Sequence, residues 1–304
     1  MDFVTIVFNN DIELELLKLQ AISFKFVELS LISNIYVFYN DNNNTKSVLD
    51  NIKSFYPTNI QSNVKIIYRE SKYDNNKSNW TNQQVFKLLM SKYVNSEYYV
   101  VLDSKNHFIR KVELLDFVVD SKPKMYLDNP GGMIKYYNNC LKYFNINCPF
   151  EYKYEDKDKL QPIGCNILLS TTPFVFIKLE VLNLIEYIEN KEKYSLECFF
   201  NKNKKKYCEF YLYSTYLIYM NSINKHTLIK LNSFNETIFA NPDKPWNDIN
   251  RKRNVITNSK CKIFGLHRKA VVRMNNEYRN NLIEIYKNLY DENIIKFIIN
   301  LLSK

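Results

Sequence analysis

Glycine is scarce in this chain, with 4 in 304 residues. A loop that cradles phosphate with backbone amides needs several, and neither GxGxxG nor a Walker sequence occurs. The six cysteines, at 140, 148, 165, 198, 208 and 261, form no CxxC pair and no zinc-ligand spacing. Only three histidines are present, and no HExxH or Ser-His-Asp order appears. Zinc-finger spacing and an RNP-like aromatic motif are also missing, so no nucleic-acid partner is expected. No apolar run reaches the length of a bilayer span. Met1 to Phe8 is too short, and lacks the basic flank, for a signal peptide. Free thiols without a leader predict a reducing cytoplasm, where the sequons at Asn79 and Asn235 carry no meaning.

What is present is a core. Apolar residues make up 46% of the chain and aromatics 15%, which excludes a disordered polypeptide. Forty-two basic residues against 32 acidic ones leave a net charge of +10. Such a balance suits an anionic partner, whether nucleotide, nucleic acid or membrane surface. The abundance of Asn, Lys, Ile and Tyr that an AT-rich genome encodes accounts for it equally well.

Residues 3–8 form an apolar run that stops at Asn9-Asn10-Asp11, which predicts a buried first strand. Leu14, Leu17, Ala21 and Phe24 then recur at helical spacing over Glu13 to Phe26. Ile35 to Tyr39 and Val64 to Tyr68 predict a second and third strand, the former closed by the polar tract Asn40 to Asn44. After Asn79 the spacing predicts a helix burying Val85, Leu88, Leu89 and Tyr93, with Trp80, Gln83, Gln84 and Lys87 on the opposite side. Tyr98 to Leu102 predicts a strand ending at Asp103. Alternating strands and helices with short connections imply an α/β fold with a mostly parallel sheet covered by helices. Further on, Pro130-Gly131-Gly132 and Gln161 to Gly164 mark loops, and Glu151 to Lys159 is a charged, exposed stretch. A helix is expected over Phe174 to Asn190, with Leu179, Leu182, Ile185 and Ile188 on one face. Another is expected over Cys208 to Asn221, and an amphipathic helical tail over Asn275 to Leu302.

Several polar groups stand where such a sheet presents chemistry, beyond the carboxyl ends of strands. Asp103 reads either as an exposed turn carboxylate or as a contact to ribose or to a metal, and Lys105, Asn106 and His107 follow at once. Gln83, Gln84 and Lys87 read as a solvated helix face or as donors to a base or sugar. His267-Arg268 ends the apolar run Ile263 to Leu266. Arg binds phosphate through two parallel hydrogen bonds, and His binds a metal or an oxyanion. Pairing of Arg268 with a carboxylate is the plainer alternative. Glu209 reads as a first-turn helix acid or as a general base, with Tyr213 one turn along the same face. The lysine-rich stretch Asn201 to Lys206 reads as a solvated loop.

These segments resemble a family of glycosyltransferases of the GT-A fold found in bacterial and viral polysaccharide gene sets. The pieces that carry the resemblance are Leu17 to Ser23, Trp80 to Leu88 with Gln83-Gln84, Leu102 to Phe108, Thr172-Pro173-Phe174, Glu209 to Tyr213 and His267-Arg268. The resemblance implies one GT-A-like, Rossmann-like domain over 1–304. Its nucleotide-sugar half would be 1–128, its acceptor half 129–272, and 273–304 a C-terminal amphipathic helix. It implies a nucleotide-sugar donor and a glycan acceptor, with Asp103, Lys105, Asn106, His107, Gln83, Gln84, Lys87 and Arg268 toward the donor. Thr172 and Tyr213 fall toward the acceptor, and Glu209, Asp103 and His267 are the catalytic candidates, with an inverting outcome favoured.

The family's wider pattern is Asp-x-Asp, whose second acid holds Mn²⁺ or Mg²⁺; here that position is Lys105. An ammonium repels a cation but itself neutralises a leaving diphosphate. The reaction is therefore open to metal independence or to a metal on Asp103 with His107 or His267. Two rival classes remain. One is a basic, non-catalytic protein at the inner face of an anionic membrane, using the Lys202–Lys206 loop and the tail. The other is a sugar-phosphate or nucleotidyl transferase on a similar sheet.

Overall fold

The computed structural model describes residues 1–40, 51–69, 79–128, 133–147, 167–230 and 233–304. The loops expected at 130–132 and 161–164, the charged stretch 151–159, most of the tract after Asn40, and Cys148 and Cys165 lie outside these residues.

The chain opens with β1 (Asp2–Val7), α1 (Asp11–Ser23), β2 (Asn34–Tyr39), β3 (Val64–Tyr68), α2 (Asn79–Leu89), β4 (Tyr98–Asp103) and β5 (Asn106–Phe108). It continues through α3 (Leu114–Phe117), β6 (Val118–Val119), β7 (Lys122–Asp128), α4 (Ile134–Phe144), β8 (Ile167–Leu168) and β9 (Phe174–Ile177). Helices α5 (Lys178–Glu192), α6 (Leu196–Lys202) and α7 (Glu209–Tyr219) follow, then β10 (Thr227–Lys230) and β11 (Asn235–Ile238). Last come α8 (Ile249–Thr257), β12 (Ile263–Leu266), α9 (Arg268–Arg273), α10 (Asn276–Lys287) and α11 (Glu292–Leu302). The main sheet has the order β3-β2-β1-β4-β9, with β2 parallel to β3 and β9 antiparallel to β4. The class is therefore mixed α/β, as the alternation of strands and helices predicts.

The chain divides into two compact units. The first comprises Met1–Ile6, Glu70–Val101 and Leu114–Leu231, and the second Val7–Arg69, Leu102–Glu113 and Asn232–Lys304. Each is assembled from three separate stretches.

The first unit is held by aromatic packing. Phe174 and Phe176 of β9 stack on Phe210 of α7, with ring centroids 4.6 and 5.8 Å apart. Asp2 is buried because its carboxylate accepts the backbone N–H groups of Asn95 and Ser96 at 2.6 and 2.9 Å. Two expectations fail here. Residues 174–177 are a strand, and the helix starts at Lys178, so its buried face is Val181, Leu184, Ile185 and Ile188 while Leu179 is exposed. Four consecutive apolar residues suit a fully buried strand as well as a helix, and periodicity cannot separate the two over so short a run. Tyr93, expected inside, follows a 3₁₀ turn at Met90–Lys92 that carries it to the surface.

The second unit carries its core under the C-terminal helices. Asn275 and Asp291 cap α10 and α11, accepting N–H groups three residues on at 2.8 and 3.2 Å. The tail is thus two helices, where one had been expected. Ile294, Ile295, Ile298, Leu301 and Leu302 recur on one side of α11 and are buried with Leu282, Ile285 and Tyr286 of α10 against Leu16 and Leu19 of α1 and Phe264 of β12. The amphipathic face proposed for a membrane is therefore already covered.

Candidate active site

In the second unit, β4 ends on Asp103, turns over Ser104-Lys105 and returns as β5. The turn is gripped from α1. The buried Gln20 side-chain amide donates through Nε2 to the carbonyls of both Asp103 and Asn106, each at 2.8 Å. Asn106 Oδ1 accepts the Asp103 N–H at 2.9 Å. The pairing of β5 with β12 sets Asn106 opposite Gly265 and His107 opposite Phe264. Strand β11 approaches so closely at Gly265 that an added Cβ would lie 2.5 Å from Thr237 Oγ1, which is why this position takes glycine. Strand β12 then delivers His267 and Arg268 to the start of α9.

The result is a cluster of charge. Lys105 Nζ pairs with Asp103 Oδ2, and Ser104 Oγ donates to Glu13 Oε2. Arg268 Nε lies 3.4 Å from Glu13 Oε1, and its guanidinium carbon stands 4.6 Å from the centroid of the Phe8 ring. Burial raises the pKa of Glu13, while its hydrogen bond from Ser104 and the Arg268 charge oppose the shift. The pKa of His267 is held down to about 4, first by burial and then by the Lys105 and Arg268 charges. The imidazole is therefore neutral near pH 7. Its Nδ1 accepts the Lys269 N–H at 3.1 Å, which places the ring proton on Nε2.

His107 is elsewhere. It is buried, with Nε2 3.0 Å from the Tyr286 hydroxyl and Nδ1 3.3 Å from the Lys105 carbonyl, and burial lowers its pKa to about 3. A neutral ring that donates from Nδ1 and accepts at Nε2 satisfies both partners, so it anchors the turn from inside the unit. Asn106 is likewise buried and serves the turn through Oδ1.

In the first unit, the polar stripe of α2 is only partly a surface. Trp80 is exposed and packs on Tyr136 of α4 at 5.6 Å, and Gln83 is half-buried. Gln84 and Lys87 are buried, which overturns the solvated-face alternative for both. Lys87 Nζ sits 3.0 Å from Glu209 Oε1 and 4.9 Å from the Phe210 ring centroid. The Cys208 thiol lies 3.3 Å from the other oxygen of Glu209. Glu209 does stand in the first turn of α7, but with both oxygens engaged and the residue buried. Tyr213 is also buried; its hydroxyl accepts the Ile177 N–H at 3.1 Å and lies 2.8 Å from Nε2 of His226, whose pKa burial lowers to about 3. Thr172 is buried just before β9, ahead of a cis Pro173.

The structure thus brings Asp103, Lys105, His267 and Arg268 into one cluster of the second unit, and Lys87 with Glu209 into one pair of the first. Glu13, Ser104 and Gln20 were missed by sequence reasoning. The one available signal was Gln20, a polar residue inside the apolar stretch Leu16 to Ile22. Among the described residues, no group of three His, Cys, Asp or Glu side chains is placed to hold a metal ion.

No curated protein matches the chain by sequence. Among solved structures it is similar to the bifunctional glycosyltransferase WbbM in its apo form, 13% identical, with a TM-score of 0.51 over 97% of this chain and 51% of that one. It is also similar to the galactosyltransferase LgtC in complex with donor and acceptor sugar analogues, 12% identical, with a TM-score of 0.49 over 98% of this chain and 100% of that one. The fold is that of the GT-A glycosyltransferases. A family model described as a family of unknown function (DUF6492) matches residues 14–248, and the chain belongs to that family.

Proposed function

We propose that the protein is a glycosyltransferase, moving a sugar from a nucleotide-sugar donor to a hydroxyl of a glycan acceptor. The observation that carries this reading is the cluster at the end of β4, where two cations, a neutral imidazole and two carboxylates meet on a turn fixed by Gln20. Asp103 receives the ribose hydroxyls. Lys105 and Arg268 offset the negative charge that grows on the departing diphosphate, and His267 donates from Nε2 to one of its oxygens. In the first unit, Gln84 Oε1 is buried without a hydrogen-bond partner. Glu209 enters this reading as the counter-ion of Lys87, since a base must reach the hydroxyl it deprotonates.

The residues present do not suit a divalent cation. Asp103 is paired with an ammonium, His267 has its Nδ1 committed to the Lys269 N–H, and the buried His107 turns its ring nitrogens to Tyr286 and the Lys105 carbonyl.

The test is a panel of nucleotide-sugars with release of nucleoside diphosphate as readout, with and without EDTA. Release that survives EDTA and collapses in Lys105→Ala and Arg268→Ala is expected. Absence of both release and a thermal shift with every donor would overturn the reading, and release of pyrophosphate would replace it with nucleotidyl transfer.

A further inference from the structure

With the apolar faces of α10 and α11 largely buried, the described exposed large apolar side chains of the second unit, apart from Leu29 and Ile299, lie on the loop after β11 and on α9. The loop after β11 carries Phe239 and Trp246, 49% and 53% exposed, and the neighbouring α9 carries Val272, 61% exposed. These are not frayed positions. Asn247 is buried and its side chain ties the loop closed, accepting the Phe239 N–H at 3.0 Å and donating to the carbonyls of Phe239 and Asn241 at 3.1 and 2.8 Å. Tyr278 of α10 donates to the Asn247 carbonyl at 2.7 Å, and Arg273 of α9 donates to the Ala240 carbonyl at 3.2 Å. The fold thus holds two large aromatic side chains out in water on a pinned loop, against the hydrophobic effect.

The surroundings are basic. Lys244, Arg251, Lys269 and Arg273 are exposed. The acids of this face are partly engaged: Glu236 pairs with Lys252, Asp248 caps α8 through the Arg251 N–H at 2.8 Å, and Asp243 lies 3.8 Å from Lys244. Beside the loop, Arg268, Lys269, Val272 and Arg273 line a groove of about 300 Å³ with Asn10 and Ile12. Lys269 and Arg273, its cations outside the candidate active site, suit a phosphate headgroup.

We propose that Phe239, Trp246 and Val272, ringed by Lys244, Lys269 and Arg273, dock the protein on an anionic phospholipid bilayer. Trp and Phe settle at the headgroup level of a bilayer, and basic side chains add attraction to anionic lipid that salt weakens. A second copy is a poorer occupant, because two-fold pairing would bring the same cationic ring against itself. The docking stands independently of the transfer activity proposed above.

Sedimentation with vesicles of phosphatidylcholine, alone or mixed with phosphatidylglycerol, tests this directly. Binding to the mixed vesicles only, weakened by salt, is expected. The pair Phe239→Ser and Trp246→Ser should lower that binding at least ten-fold, and so should Lys244→Glu with Lys269→Glu, which leaves the loop's hydrogen bonds intact. Lys204→Glu with Lys205→Glu, in the other basic loop, should leave it unchanged. Equal binding to neutral vesicles, absence of binding, or equal loss in the Lys204 and Lys205 variant overturns the proposal. So does a concentration-dependent dimer in sedimentation velocity that the Phe239 and Trp246 changes abolish, which would make the patch a protein interface.

Discussion

Two lysine–carboxylate pairs of the same chemistry occupy opposite environments. Lys87 and Glu209, in the first unit, keep 7% and 4% of their side-chain surface exposed. Lys105 and Asp103, in the second, keep 22% and 25%. Burial turns the first pair into architecture. Loss of either charge leaves the other with little water to take its place, so truncating one partner is costly. Partial exposure leaves the second pair exchangeable, since water can take the place of either partner and an arriving phosphate can compete for the ammonium. Polar residues with a functional look thus divide by access to solvent, a property that residue type does not record.

The largest effect should come from breaking the buried pair. Glu209→Ala should cost about 3–5 kcal/mol in denaturant unfolding, while Lys87→Met with Glu209→Leu should restore most of it. Near-wild-type stability of Glu209→Ala would erase the contrast between the pairs. Acid is the next lever. His107 and His226 have pKa values of about 3, and His267 of about 4, all below the ordinary 6.5. Between those values the unfolded chain binds more protons than the folded one, so stability rises with pH there. Unfolding followed from pH 7 downward should show stability lost from about pH 6.5 toward pH 3 to 4; a flat profile would mean that the rings are charged inside the fold.

At the exposed pair the order of effects reverses. Lys105→Ala should lower the rate of donor cleavage about 100-fold, as loss of one charge-stabilising donor does. Gln20→Leu strips the carbonyls of Asp103 and Asn106, the latter buried, of their shared Nε2 donor and should cost about 1–3 kcal/mol, with the turn's rate contribution falling alongside. Smallest of all, Lys105→Ala should change stability by less than about 1 kcal/mol. A larger loss would place Lys105 with Lys87 as a structural residue.

Strands β1 to β4 were legible because each is a short apolar run closed by polar residues, and the position of Asp103 at a strand end followed from that. His267 and Arg268 were legible for the same reason. The meeting of Arg268 with Glu13 was not, because it joins residues some 250 apart, and no local spacing reports it. The stripe of α2 misled in the opposite sense. Periodicity marks which face is polar, yet whether water or a partner such as Glu209 covers that face is decided by a distant helix. The tail misled likewise: its amphipathic pattern is real, and its apolar side was claimed by the protein's own core.

The Gln20 Nε2 clamp grips main-chain carbonyls at 103 and 106. Nothing in it depends on which side chain the turn displays between them. The chain has therefore separated the shape of this turn from its electrical sign. Position 105 can exchange base for acid on an unaltered backbone, so that a lineage can gain or lose an affinity for cations by a single codon without refolding the site.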